Sequence, residues 1–470
     1  VHTRTIRGFT RGTNPPCARI ARRTEESIIT FDTITIVLAA RARRRIFNGK
    51  VEGGSPFGRF GKIISEREGG ILRSLSNVNA RNEWALRDGR VFDDSISSLE
   101  EFSKRCPFTT KDELAADQAA NPPYGTNLTF PLEQYTRIHQ TSGTTGKPLR
   151  WLDTPDDWQW MVDSWKKIFH AADIDEKDRV LFAFSFGPFI GFWLAFDAAT
   201  QMGCLCFPGG GLTTVTRLRI LMENEATVLC CTPTYALRLA EVPGQEGIDL
   251  KDNKLRQIIV AGEPGGSIES TRKRLEEAWG AQVFDHHGMT EVGPVTFQWA
   301  GEANHLKVIE EAYYTEVIKP GTNDPVTEGE EGELILTTLG RTGSPLIRYR
   351  TGDLVRPEQH EDGLLLAGGI LGRTDDMVIV RGVNVYPSAI EHIMRSVDGV
   401  AEYQVITTTK EEMAELSLRV EPTSEGIGRV LTNEIETAVR GSLGLRVPVE
   451  IAPPDSLPRF ELKAKRWIKE

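Results

Sequence analysis

Between residues 155 and 285 short apolar runs alternate with amphipathic stretches, and this alternation limits the folds open to the chain more than any other feature. Val180–Phe184, Cys204–Phe207, Thr227–Cys231, Gln257–Ala261 and Gln282–Asp285 read as strands. Between or before them, residues 155–170, Leu194–Met202, Val215–Asn224 and Glu269–Trp279 read as helices, the first carrying Trp158, Met161, Trp165 and Ile168 on one face. Strands at this spacing, each followed by a helix, predict a parallel sheet in an α/β fold. A chain of 470 residues exceeds one ordinary core. Glu333–Leu339 and Leu364–Ala367 predict a more β-rich stretch. After Gly368–Gly372 the order becomes strand, helix, two strands, helix and strand, ending in a basic tail. The expected class is therefore α/β: a large, multi-subdomain N-terminal domain with parallel sheets and a small α+β C-terminal domain. The boundaries fall at 1–97 (an atypical extension and helical lead-in), 98–371 and 372–470.

Composition excludes several functions. A net charge of −10 argues against general nucleic-acid binding. The longest apolar stretches, near Ile34–Ala40 and Val180–Phe196, are too short or too interrupted to span a bilayer. The six cysteines form no CxxC pair, and buried free thiols suit a reducing cytoplasm. The first 48 residues hold ten arginines and no lysine, which reads as an atypical extension rather than a targeting signal.

Thr141-Ser142-Gly143-Thr144-Thr145-Gly146-Lys147-Pro148 combines glycines, hydroxyls and a lysine in a loop suited to a polyphosphate. A Walker loop would need GxxxxGK followed by Ser or Thr. Here Gly143 stands only four residues before Lys147, and a proline follows the lysine. Four further clusters come in order. Ala261-Gly262-Glu263-Pro264 ends a strand, where α/β folds bind ligands. Asp285-His286-His287-Gly288-Met289-Thr290-Glu291 sets a hydroxyl beside a carboxylate able to hold Mg²⁺. Adjacent histidines on an extended segment face opposite ways, which disfavours a zinc pair. Arg348–Leu354 carries Asp353, a carboxylate that can accept both hydroxyls of a ribose. Gly372–Asp376 then opens the small domain, ahead of Val380–Pro387.

These clusters resemble the phenylacetate-CoA ligase family of the acyl-adenylate-forming superfamily. The resemblance lies in SLEEFSKRCPFTTKDEL, TSGTTGKP, GMTEVGP, PLIRYRTGDL, GRTDDMVIVRGVNVYPSAIE and PRFELKAKR, spanning roughly residues 98–470. It implies an ATP-dependent ligase that joins a carboxylic acid to AMP and passes the acyl group to coenzyme A beneath a mobile C-terminal lid. Thr141–Lys147 would grip the β- and γ-phosphates, and Gly262, Glu263, Pro264 and Asp285 would surround the adenine, with His287 and Gly288 alongside. Thr290 would touch the α-phosphate, Glu291 would bind Mg²⁺, and Asp353 with Arg373 would hold the ribose. Asp375 would be the hinge, and Arg381 and Gly382 would border the CoA tunnel. The catalytic lysine would be Lys463, with Lys465 two residues on and Leu462 in place of the family's glycine.

Phe184, Phe186 and Phe189, with Gly288, would line the acid pocket, implying an aryl or arylalkyl acid; Asp197 raises the alternative of a substrate ammonium. Relatives carry Cys and His residues suited to zinc between GMTE and RTGDL. This chain has Trp299, Lys307 and Ala312 in that stretch, so no structural zinc is expected. Small-molecule acid and CoA are the expected partners, without nucleic acid or membrane, for a cytoplasmic monomer or homodimer. Two other readings stand beside CoA ligation: transfer of the acyl group to a carrier protein or an amine, and a nucleotide-binding homologue without catalysis.

Overall fold

The computed structural model describes residues 70–71 and 96–470, except 142–147, 243–247, 375, 377, 381–382, 411–412, 425 and 461–463. The extension proposed at the N-terminus therefore lies almost wholly outside the described residues.

Two short helices lead in. Leu99–Arg105 is capped by Ser98, whose hydroxyl accepts the Glu101 N–H. Lys111–Ala120 opens on a capping box between Thr110 and Glu113. Strands β1 (Arg137–Gln140) and β2 (Arg150–Asp153) then pair antiparallel, with Gln140 opposite Arg150. The glycine- and threonine-rich loop thus joins two strands, whereas a Walker loop leads into a helix.

The alternating segment forms a five-stranded parallel sheet. Its strands are β3 (Arg179–Phe182), β4 (Leu205–Pro208), β5 (Val228–Cys231), β6 (Gln257–Val260) and β7 (Gln282–Asp285), in spatial order β4-β3-β5-β6-β7. The strands are apolar throughout because the sheet is covered on both sides. Val180, Phe182, Val228, Cys230, Ile259 and Phe284 enter one core. Their sequence neighbours Leu181, Leu229, Cys231, Ile258, Val260 and Val283 enter the other. The helix Pro155–Ala171 seals the first core with Trp158, Met161, Val162, Trp165, Ile168 and Phe169, all buried. Each such side chain contributes about 1.5–3 kcal/mol.

Two four-stranded antiparallel sheets complete the large body, so among the described residues only one of its larger sheets is parallel. The reason is local: from Thr296 onward the strands are joined by short connections, which permit antiparallel neighbours and leave no room for crossover helices.

The C-terminal unit is a mixed sheet of six strands packed against the helices Pro387–Ser396 and Gly428–Leu443 around its own core of Ile390, Met394, Val405, Leu418, Ile435 and Val439. Its basic tail adds a strand to this sheet. Trp467–Lys469 forms a strand parallel to Val400–Lys410, with Trp467 opposite Val405. Arg466 is buried because Glu391 and Glu402 neutralise it, at 3.2 and 2.7 Å.

Candidate active site

Three of the clusters singled out in the sequence, Ala261–Pro264, Asp285–Glu291 and Arg348–Leu354, lie after β6, after β7 and, through Asp353, against His287. At the base of the phosphate-loop hairpin, Thr141 is buried; its N–H donates to the Leu149 carbonyl (3.0 Å) and its hydroxyl accepts the Leu149 N–H (3.0 Å). This pair closes the loop at its root. Ser142, Gly143, Thr144, Thr145, Gly146 and Lys147 lie outside the described residues, as do Asp375, Arg381, Gly382 and Lys463.

After β6, Gly262 takes a left-handed φ of +94°, and both Gly262 and Pro264 are exposed. Asp285, at the end of β7, is buried; burial pushes its carboxyl upward in pKa, against the hydrogen bond from Ser267 at 2.5 Å. A Cβ on Gly266 would lie 2.4 Å from the Asp285 carboxyl carbon, so that approach requires glycine. His286 turns into the core, where its ring packs 4.4 Å from Trp165 and burial holds its pKa down to about 3. His287 faces the cleft instead, with Nε2 3.0 Å from Asp353. The two histidines diverge as an extended segment requires.

Asp353 is buried between His287 and Arg373, whose Nη1 donates at 3.1 Å to the other carboxylate oxygen. Gly352 (φ +76°) makes room for this, since a Cβ there would sit 2.9 Å from Arg373 Nη2.

Thr290 is half-buried beside the buried Glu291. Glu291 Oε1 lies 3.1 Å from Lys111 Nζ and accepts from the Tyr349 hydroxyl at 3.4 Å. A buried carboxylate calls for a positive partner; Lys111 supplies one here, and the hard oxygens of Glu291 suit Mg²⁺, which would compete with that ammonium.

Sequence reasoning missed the residue that holds this pair in place. Arg341, fully buried, donates from Nη1 to the carbonyls of Thr290 (2.9 Å) and Glu291 (2.7 Å) and from Nε to Asp153 on β2 (2.7 Å). Nothing near Gly340-Arg341-Thr342 signals this, because its partners come from distant segments. Lys111 was likewise unremarked, although it stands in the TTKDEL segment.

The aromatic run divides in two. Phe182 and Phe192 are core, while Phe184, Phe186 and Phe189 are half-buried. Phe184 meets Phe192 edge-on, and Phe186 meets Trp193 and Phe196 edge-on. A Cβ on Gly288 would meet the Gly293 carbonyl at 2.7 Å, so a side chain is excluded there. Asp197 is engaged by Arg137 (3.0 Å) and by the Trp158 indole N–H (2.7 Å), so its charge is neutralised within the protein. In the stretch where relatives carry zinc-type ligands, Trp299 packs on His360 and donates to Asp362, while His305 faces Glu358. Among the described residues no cluster of three His, Cys, Asp or Glu suited to a metal is found, and no helix is long and apolar enough to cross a membrane.

A parallel-sheet body carrying these motifs in this order, followed by a small C-terminal unit with its own core, has the organisation of the acyl-adenylate-forming enzymes of the AMP-binding class. The AMP-binding enzyme family matches residues 97–340, and its C-terminal domain matches residues 382–470. The phenylacetate-coenzyme A ligase of Pseudomonas putida is 31% identical over 386 residues, 79% of this chain and 85% of its own length. That of Escherichia coli (strain K12) is 32% identical over 396 residues, 79% of this chain and 85% of its own length. The chain belongs to the phenylacetate-CoA ligase family.

Among solved structures, 2-hydroxyisobutyryl-CoA ligase in the postadenylation state with 2-HIB-AMP is 30% identical, covers 86% of this chain and 90% of its own, and superposes with a TM-score of 0.81. The same ligase with 2-HIB-AMP and CoA in the thioesterification state gives 0.62 at the same identity and coverage.

Proposed function

We propose that this protein is an AMP-forming acid–CoA ligase acting on an aryl or arylalkyl carboxylic acid. The observation that supports the reading is that His287, three residues before Thr290–Glu291, meets Asp353 after β7, while Ala464, next in the chain to Lys463, meets Glu263 after β6. The division at residues 371 and 372 separates the body from the lid in this reading.

The carboxylate of the acid attacks the α-phosphate of ATP, giving acyl-AMP and pyrophosphate. Ser142–Lys147 hold the departing phosphates on a loop whose root Thr141 closes. Thr290 donates to the α-phosphate, and the Lys463 ammonium offsets charge that develops as the P–O bond breaks. Glu291 would hold Mg²⁺, which supplies further charge stabilisation when bound. Asp353, oriented by His287 and Arg373, accepts the ribose hydroxyls. Turning of the lid about Asp375 then withdraws Lys463 and brings Arg381 and Gly382 to the path of the CoA thiol, which displaces AMP from the acyl carbonyl.

The aryl preference rests on Phe184, Phe186 and Phe189, which are half-buried, with Phe184 packed so close to Gly191 that a Cβ there would meet its ring at 2.1 Å. Asp197, already paired, gives an ammonium-bearing acid no free carboxylate at that position. A short hydroxy acid is the second reading, favoured by the likeness to 2-hydroxyisobutyryl-CoA ligase.

The test is acid-dependent ATP–pyrophosphate exchange over a panel of both acid types, with and without CoA. Arylacetates should support exchange and, with CoA, yield thioester. No exchange with any acid would leave only nucleotide binding without catalysis. Lys463→Ala should abolish exchange while sparing thioester formation from supplied acyl-AMP; equal loss of both would refute its assigned role.

A further inference from the structure

Glu263 stands on the turn after β6, half-buried, and each of its carboxylate oxygens accepts one backbone N–H. Oε1 accepts from Thr234 at 2.8 Å, in the first turn of the helix Pro233–Glu241, within the body. Oε2 accepts from Ala464 at 2.8 Å, in the lid, 201 positions along the chain. Ala464 follows Lys463 directly. Two residues later Arg466 reaches the same place, with Nη1 3.4 Å from the Thr234 hydroxyl and its charge held by Glu391 and Glu402.

Neighbouring contacts from body to lid are longer: Ser270 Oγ to the His392 carbonyl at 3.3 Å, Arg274 Nη2 to the Val400 carbonyl at 3.4 Å, and Arg459 Nε to Glu241 at 4.0 Å.

We infer that Glu263 is a positioning residue for adenylation: a body-anchored carboxylate that captures the backbone N–H beside Lys463 and lets it go when the lid turns. The inference rests on the ligase reading above, and it replaces adenine contact as the work of this side chain. A carboxylate suits the task. The positive end of a helix stabilises its charge, and an ionised acceptor holds an N–H about twice as strongly as a neutral one. The grip is on backbone, so it fixes the chain carrying the lysine without depending on the lysine's rotamer. A single N–H on the lid side also leaves the contact reversible. Arg466 adds a second touch on Thr234 from within the lid's own ion cluster, so two lid groups reach the first turn of the same body helix, Ala464 by way of Glu263.

The experiment uses the full chain with Glu263→Gln. The amide oxygen can still accept the Thr234 N–H, but the amide nitrogen cannot accept from Ala464. Two quantities are read: kcat and KM(ATP) for exchange, and the rate at which a short bis-maleimide links S270C to H392C across the interface. A latch predicts an exchange kcat about 10- to 100-fold lower, KM(ATP) within about twofold, and slower cross-linking. Ala464→Pro, which deletes only the lid's donor, should do the same. If KM(ATP) rises and cross-linking is unchanged, Glu263 contacts the nucleotide and the latch is overturned. If cross-linking slows but the unmutated protein shows no exchange with any acid, the latch stands and the ligase reading fails.

Discussion

Replacing Arg341 with methionine should be among the most damaging single changes in the body. Arg341 and Asp153 are both fully buried, with Nε 2.7 Å from Oδ1. Burial alone would raise the Asp153 pKa, but the Arg341 guanidinium and His139 outweigh it and hold the carboxyl below its usual range. Without the guanidinium, an ionised carboxylate is left in the core, and breaking such a pair costs about 3–5 kcal/mol. For a cooperative unit of 150–250 residues, at about 2–4 °C per kcal/mol, the melting temperature should fall by about 6–20 °C. The pH dependence supplies a second check. In the unmutated protein the depressed pKa stabilises the fold at neutral pH, and this contribution is lost as pH falls below about 4. In Arg341→Met burial wins, and the folded-state pKa is raised. That penalty is absent at low pH and grows as pH rises, so the gap between the two proteins should narrow between pH 8 and pH 5. Calorimetry or intrinsic-fluorescence melting at several pH values reads both effects. Because the same guanidinium ties down the carbonyls of Thr290 and Glu291, exchange activity should fall well below what the folded fraction explains. A melting temperature within about 2 °C of the parent at pH 7.5, or a gap that widens on acidification, would refute the reasoning.

Lys111→Met should tighten divalent-cation binding by about fivefold, because it removes the ammonium 3.1 Å from Glu291. Mn²⁺ titration followed by electron paramagnetic resonance measures this, and unchanged affinity would count against Glu291 as a ligand. In the lid, burial pushes the Glu391 pKa up, but Arg395 and Arg466 override it and bring it down to about 2. Glu391 therefore stabilises the lid above the ordinary carboxylate pKa of about 4.3, and that stability is lost as pH falls toward 2. Hydrogen exchange of the strand Val400–Lys410 should show Glu391→Gln weakened at pH 7, with the difference closing below about pH 4.

The parallel sheet was legible because its strands are covered on both faces. Leu229 and Cys230 serve opposite cores, so a run of apolar residues bounded by helices reads directly as a strand. The site motifs were legible because they are contiguous: Gly352 and Asp353 are neighbours, and the glycine is needed to admit Arg373. What escaped depends on partners brought together only by folding. Lys463-Ala464-Lys465-Arg466 looks like a solvated charge run, because Glu391 and Glu402 lie 75 and 64 positions from Arg466. Asp197 looked available to a substrate for the same reason; Arg137 precedes it by 60 positions. Local periodicity reports which face of an element is apolar, but it says nothing about which distant charge will neutralise a buried one.

The strand Trp467–Lys469 has an unexpected importance for anyone altering the gene. Its register against Val405, Ile406 and Thr407 sets where Ala464 falls on the body. A single codon inserted between 466 and 467 would keep every motif intact yet shift Ala464 against the body by up to about 3.5 Å. Deleting residues 467–470 would erase the ruler altogether.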